Sequence, residues 1–268
     1  MVNTFPQVVT IAGNDSDGSA GGPADLHAFF QRQVYGMLIL TSAVAGNSYG
    51  IQDTMVMPAE FIAAQFDSLA ADFNIRAVKT GMLADAKTIH TVAEKLTAVD
   101  FGHFVLDPVI STKHGARLLE LNALTTLKEE LIPLAELITP NFYEQEILAG
   151  QKINNEADVL AAAHKIQALG VPNVLMKGRH DLVQQKEVRD LLLTASGEGI
   201  WLTAPYVATK HINGTGDTLS AIIVAELAKG QTLETAVKRA KRLTQQAIAN
   251  EIEVGHQFGP INQWRLDD

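Results

Sequence analysis

Cysteine is absent from the 268 residues. The chain can therefore form no disulfide, no thiolate metal site and no cysteine nucleophile. Long apolar runs are missing too: segments such as Met37 to Val44 fall far short of the roughly 20 residues a membrane-spanning helix needs. Met1 to Gln7 lacks a basic start leading into an apolar core, and Asn14, Asp15 and Asp17 soon break the apolar run after it. A soluble, cytoplasmic protein is the expectation. Positive charge is scarce, with 21 Lys+Arg against 30 Asp+Glu and a formal net charge of -9. That balance argues against a general nucleic-acid or anionic-membrane surface. Any anionic ligand must be held by local charges and dipoles.

What is present suits a compact domain: 47% apolar and 19% charged residues exclude general disorder. The length admits one large α/β domain or two small ones. Short apolar runs alternate with helix-length amphipathic segments. Val8 to Ala12, Met37 to Val44, Ala77 to Lys79, Phe104 to Leu106, Leu137 to Thr139 and Val174 to Met176 read as strands. Ala24 to Gln33, Ala59 to Phe73, Thr88 to Leu96, Ala123 to Leu131 and Ala157 to Leu169 read as helices, with Phe61, Ile62, Phe66 and Leu69 on one side of the second. Strands separated by helices imply crossovers and a mainly parallel sheet covered on both faces. Val188 to Leu193 and Gly199 to Leu202 flank Ser196-Gly197 and predict an antiparallel hairpin, before helices at Thr218 to Leu227 and Leu233 to Ala249. No linker or repeat interrupts the chain, so one domain, 1–268, is expected.

Ligands of such sheets sit at the carboxyl ends of the strands. Asn14 and Asp15, Asp107, Asn141 and Lys177 all follow strand candidates there, although loops are polar in any case. Asn213-Gly214-Thr215-Gly216-Asp217-Thr218 opens an apolar helix. Its glycines allow a tight turn and its free amides attract an anion. Asp217 could take a proton from an alcohol, or merely satisfy the helix dipole. Asn141 and Glu144 are spaced to organise a hydrated Mg²⁺, but the same spacing favours a capping box. Asp25 could be a substrate ligand or only a first-turn acid. Gly46-Asn47-Ser48-Tyr49-Gly50 matches the G-x-S-x-G of serine hydrolases, but Ile51 to Val56 reads as extended where that motif needs a helix.

Together these segments resemble the ribokinase-like vitamin kinases, in the branch of hydroxymethylpyrimidine (phosphate) kinases and bacterial pyridoxal/pyridoxine kinases. The resemblance runs through Thr10-Ile11-Ala12-Gly13-Asn14-Asp15, Ala20-Gly21 with Ala24-Asp25-Leu26, Lys79-Thr80-Gly81-Met82-Leu83 and Leu106-Asp107-Pro108-Val109. It continues through Thr139-Pro140-Asn141 with Glu144, Met176-Lys177-Gly178, Gly214-Thr215-Gly216 and Val254-Gly255-His256. It implies an α/β, ribokinase-like three-layer αβα sandwich with a mainly parallel central sheet. It also implies ATP-dependent, Mg²⁺-assisted phosphorylation of a ring hydroxymethyl group, with a homodimer as the expected assembly. By that analogy Asp217 is the base and Gly214, Thr215 and Gly216 form the anion hole. Asp107, Asn141, Glu144 and Lys177 would serve ATP, with Asp107 and Glu144 on the metal through water. Asp15, Ala20, Asp25, Val44, Gly46, Met82, Val109 and Lys113 would lie at the substrate.

Three departures bear on the substrate. Hydroxymethylpyrimidine kinases of this branch carry a ring-pairing Gln where Gly46 stands, which turns the expectation towards pyridoxal or pyridoxine. Asp217 replaces the Cys usual in the branch and restores the Gly-Thr-Gly-Asp pattern of the wider superfamily. Asn213 replaces a frequent His, and Ser16-Asp17 alters the first loop. The expected activity is pyridoxal/pyridoxine kinase, with hydroxymethylpyrimidine (phosphate) kinase as the alternative and a hydrolase acting through Ser48 outside the class.

Overall fold

The computed structural model describes residues 4–111, 119–120, 122–180 and 184–266. Nine strands form one sheet: β1 (Gln7–Asp15), β2 (Tyr35–Asn47), β3 (Gly50–Val56), β4 (Ile75–Thr80), β5 (His103–Leu106), β6 (Leu137–Ile138), β7 (Asn173–Met176), β8 (Glu187–Leu193) and β9 (Gly199–Pro205). Their spatial order is β3-β2-β1-β4-β5-β6-β7-β8-β9. From β2 through β7 every pairing is parallel; β3 at one end, and β8 and β9 at the other, are antiparallel.

Strand alternation divides the interior into two apolar layers. Val9, Ile11, Val78, Phe104, Leu106 and Val174 face the helices α2 (Ala59–Ala70), α3 (Ala86–Ala98), α5 (Phe142–Ala149) and α6 (Glu156–Gln167). Val8, Ala77, Val105, Leu137 and Leu175 face α1 (Gly21–Gln31), α7 (Thr215–Ala228) and α8 (Leu233–Ala249). Because neighbouring residues point to opposite, equally covered faces, the inner strands are apolar along their length. The expected α/β three-layer sandwich is present.

Local departures have local causes. Phe61 does not join the apolar stripe of α2 and is 54% exposed; Ile62, Phe66 and Leu69 are spaced by four and three, leaving Phe61 one residue off the face. The predicted helix over Ala123 to Leu131 is α-helical only as α4 (Ala123–Thr126). It widens to a π turn at Leu127–Leu131 and tightens to a 3₁₀ turn at Ile132–Leu134. Pro133 lacks an N–H and crowds the carbonyl four residues back, so a regular helix cannot continue through it. No helix among the described residues is long and apolar enough to cross a membrane.

One buried charge cluster ties the α1/α7/α8 layer together. Glu226, with no exposure, accepts from Arg32 Nε and Lys229 Nζ at 2.9 Å and from Arg239 at 2.7 Å. Burial works against the Glu226 charge, but the three cations outweigh it and hold its carboxyl below the ordinary range. Glu226→Ala leaves Arg32 buried without its carboxylate and is expected to cost ~3–5 kcal/mol in denaturant unfolding. A depressed folded pKa has a definite sign. The Glu226 contribution is complete above the unfolded carboxyl value of about 4.5 and is lost as pH falls through the folded value. Stability of Glu226→Gln should therefore depend less on pH than wild type in that acid window, and an equal dependence would remove this assignment.

Candidate active site

Chain connections reverse between β1 and β4: β1 leads outward to β2 on one side, while β4 to β7 extend on the other. Such a switch point opens a crevice at the carboxyl ends of the strands. The start of α7 lies over it. Gly214 caps this helix at φ 78°, and a Cβ there would overlap the carbonyl oxygen of Ser19. Glycine is required on both counts. Asp217 is half-buried in the first turn, where a helix leaves amides without intrahelical acceptors.

Asp107 and Lys177 meet beside that turn. Lys177 Nζ lies 3.2 Å from Asp107 Oδ1, and Ser220 Oγ lies 3.5 Å from Asp107 Oδ2. The Cβ position of Gly216 is 3.4 Å from Lys177 Nζ and 3.5 Å from Asp107 Oδ2, so the helix start lies in ordinary contact distance of the ion pair.

Asn141 and Glu144 form the capping box of α5. Asn141 Oδ1 accepts from the amides of Tyr143 and Glu144, and Glu144 Oε2 accepts from Asn141 N at 2.7 Å. Glu144 Oε1 accepts from Ile110 N at 2.9 Å. Both carboxylate oxygens are thus engaged, and burial pushes this group up to about 7, with Lys177 opposing and Asp107 adding to the shift. Glu144 acts here as a strut: it fixes the loop that carries Asp107 and Val109. Val109 has φ 43°, rare for a β-branched residue and costing ~1–3 kcal/mol.

At the end of β1, Asp15 pairs in register with Val44 on β2. Asp15 Oδ1 is buried without a hydrogen-bond partner. It sits 2.8 Å from where a Cβ of residue 46 would be, so Gly46 makes room for this carboxyl. Burial, then Asp17 and Asp217, raise Asp15 to about 6. Met82 lies nearby, with Sδ 4.0 Å from Ser42 Oγ, and Ala20 caps α1. Asp25 differs from its expected substrate contact. It has no exposure, and its oxygens take Lys79 Nζ and Thr10 Oγ1, each at 2.6 Å. Lys113 lies outside the described residues.

Ser48 has no hydrolase setting. It stands in the turn between β2 and antiparallel β3, where its Oγ accepts from His256 N and its carbonyl from Phe258 N. It thereby fastens the C-terminal segment over the crevice. Asp17, Ser19, Asn47, Tyr49, His256 and Phe258 help line a cavity of about 290 Å³ there, near the lower bound for small-molecule sites.

A family model described as phosphomethylpyrimidine kinase matches residues 15–262. The chain belongs to that family. Hydroxymethylpyrimidine/phosphomethylpyrimidine kinase of Haemophilus influenzae is 43% identical over 264 residues, covering 98% of both chains. Pyridoxal kinase of Bacillus subtilis, solved as an ADP complex, superposes with TM-score 0.90 at 32% identity, covering 98% of this chain and 99% of that one. Phosphomethylpyrimidine kinase of Clostridium difficile 630 gives TM-score 0.79 at 35% identity, over 90% and 99%. The protein is therefore a ribokinase-like vitamin kinase, and the reading through Ser48 is set aside.

Within this kinase, supporting residues escaped the sequence reading. Gln145 Nε2 donates to the carbonyls of Pro140 and Lys177, joining the loops after β6 and β7. Asp190 accepts from Gly178 N at 2.8 Å and pairs with Lys241 at 2.7 Å, holding the Lys177 loop from below. Lys79, quoted only as part of a motif, is wholly buried beside the helix start. Gln145 and Asp190 are ordinary polar residues with nothing in their neighbours to mark them, whereas the motif around Lys79 does not show its burial. Gly214→Ala should displace the Ser19 loop and lower kcat/KM at least tenfold while the purified protein still folds. Wild-type turnover in that variant would show that the helix start tolerates a Cβ.

Proposed function

We propose that this chain, acting as a single domain, transfers the γ-phosphoryl group of ATP to hydroxymethylpyrimidine and its phosphate. The observation that carries the substrate reading is Asp15 beside Gly46. The expectation of pyridoxal rested on a missing polar side chain at position 46. In this fold the carboxyl of Asp15 already stands against that position, so a polar group is present from the neighbouring strand. A carboxyl can both accept from an exocyclic amine and, when protonated, donate to a ring nitrogen. The 43% identity to the Haemophilus influenzae enzyme, against 32% to the Bacillus subtilis pyridoxal kinase, favours the same reading.

Lys177 and the amides at the start of α7 hold the transferring phosphates, supplying locally the positive potential that the net charge of -9 lacks. Asp217 accepts the proton of the ring hydroxymethyl group. The freed oxygen forms a bond to the γ-phosphorus as the bond to ADP breaks. Asn141 borders the nucleotide, and the segment fastened by Ser48 helps exclude water. Mg²⁺ usually keeps waters and takes one or two carboxylates together with substrate phosphates. Asp107 suits that need, with Oδ2 towards Gly216, whereas Glu144 is committed to backbone amides and adds only charge behind it. Bound there, the ion would neutralise phosphate charge.

Comparing kcat/KM for hydroxymethylpyrimidine, its phosphate, pyridoxal and pyridoxine tests the substrate. A pyrimidine preference is expected, and a preference for either pyridine would reverse the reading. Asp217→Asn should lower kcat by ~10²–10⁴ with nucleotide binding largely intact; near-normal turnover would remove the base assignment. Asp15→Ala should raise the pyrimidine KM about tenfold or more. It deletes a buried unpaired oxygen together with the carboxyl's bonds to the backbone of Asp17 and Ser16, so the two effects on Tm oppose one another and KM is the readout. An unchanged KM would disconnect Asp15 from the ring.

A further inference from the structure

Lys79 is a wholly buried cation with no part in phosphate handling. Thr10 and Lys79 are register partners on β1 and β4, so both side chains rise on the face covered by α1 and α7. There α1 presents Asp25, whose carboxylate takes the Thr10 hydroxyl and the Lys79 ammonium, each at 2.6 Å. Neither side chain of the ion pair has any exposure. Removing two charges from water costs several kcal/mol per ion, and an apolar replacement of similar volume is often no less stable. Stability alone is a weak reason for this pair.

A third contact gives a reason connected with the reaction. Lys79 Nζ also points at the backbone carbonyl of Asp217, 3.5 Å away at the outer limit of hydrogen bonding. Burial works against the ammonium, but Asp25, Asp217 and Asp107 outweigh it and hold Lys79 above the ordinary lysine range. The groups around this turn are mostly negative: Asp15 at the end of β1, Asp25 on α1, Asp107 after β5 and Asp217 itself. Among the described residues Lys177 is the other cation beside the turn, and the phosphates of a bound nucleotide would claim it.

We propose that Lys79 is a positioning residue for phosphoryl transfer. Anchored by Asp25 and Thr10, its ammonium holds the first turn of α7 and keeps a fixed positive charge beneath Asp217 when Lys177 is occupied by phosphate. This rests on Asp217 as the base.

Lys79→Met, Asp25→Asn and the double variant separate this role from simple stabilisation. Both single changes break the same ion pair, but only Lys79→Met removes the cation. Lys79→Met should lower kcat by ~10² with the nucleotide KM within about threefold of wild type. Asp25→Asn should lose at least tenfold less. The double variant has no unpaired buried charge, so it should regain Tm relative to Lys79→Met while kcat stays low. Equal kcat losses in the single variants, or recovery of both Tm and kcat in the double one, would overturn the proposal. If Lys79→Met does not fold, the double variant compared with Asp25→Asn gives the same reading: a tenfold or larger kcat difference supports it and an equal kcat overturns it. Failure of the base reading is separate, since it appears as undiminished turnover in Asp217→Asn.

Discussion

Two strands side by side, β1 and β4, carry Thr10 and Lys79 in register, and α1 brings Asp25 down between them and α7. This buried ion pair lies where the chain connections reverse, so it joins the two halves of the parallel sheet to the helix that carries Asp217. Its geometry leaves little freedom. A helix start that must approach the Ser19 carbonyl through a glycine, above a cation held at 2.6 Å, has few places to go. The loops after β5, β6 and β7 are fixed in turn by Glu144, Gln145 and Asp190, each of which bonds to backbone groups, Asp190 also pairing with Lys241.

The electrostatic character of the crevice comes from this framework rather than from the overall charge. A chain with net charge -9 holds Lys79 and Lys177 at one helix start, surrounded by carboxylates that keep them there. Positive potential is thereby confined to short range, at Lys177 and the free amides of the helix start, with Lys79 buried behind them. Burial first, and then the nearby Asp17 and Asp217, raise the Asp15 carboxyl, one of whose oxygens has no partner.

Most of the architecture was legible in the sequence, because buried parallel strands are continuous apolar runs and the helices between them are amphipathic. The hairpin around Ser196-Gly197 came from turn chemistry, and the structure has it. The helix after Ala123 departs from its regular expectation because Pro133 acts backwards on residues whose own propensities are good. At the site, the motif glycines and Asp217 stood out by spacing. The capping box of Asn141 and Glu144 is legible from spacing and present. The resemblance places Asp25 at the substrate and Glu144 at the metal, whereas in the fold one belongs to Lys79 and the other to the amides of Asn141 and Ile110. A linear chain shows which residues end strands, but not which of them point inward.

Sequence alone determined the fold class, the family and the absence of any thiol chemistry, since periodicity, motif order and composition are properties of the chain itself. The tertiary structure decided what the residues do to one another. Gly46 looked like a lost side chain until the neighbouring strand put Asp15 against it. Lys79 looked like a motif letter until α1 and α7 closed over it. Both outcomes depend on distances between segments far apart in sequence, and only packing sets those distances.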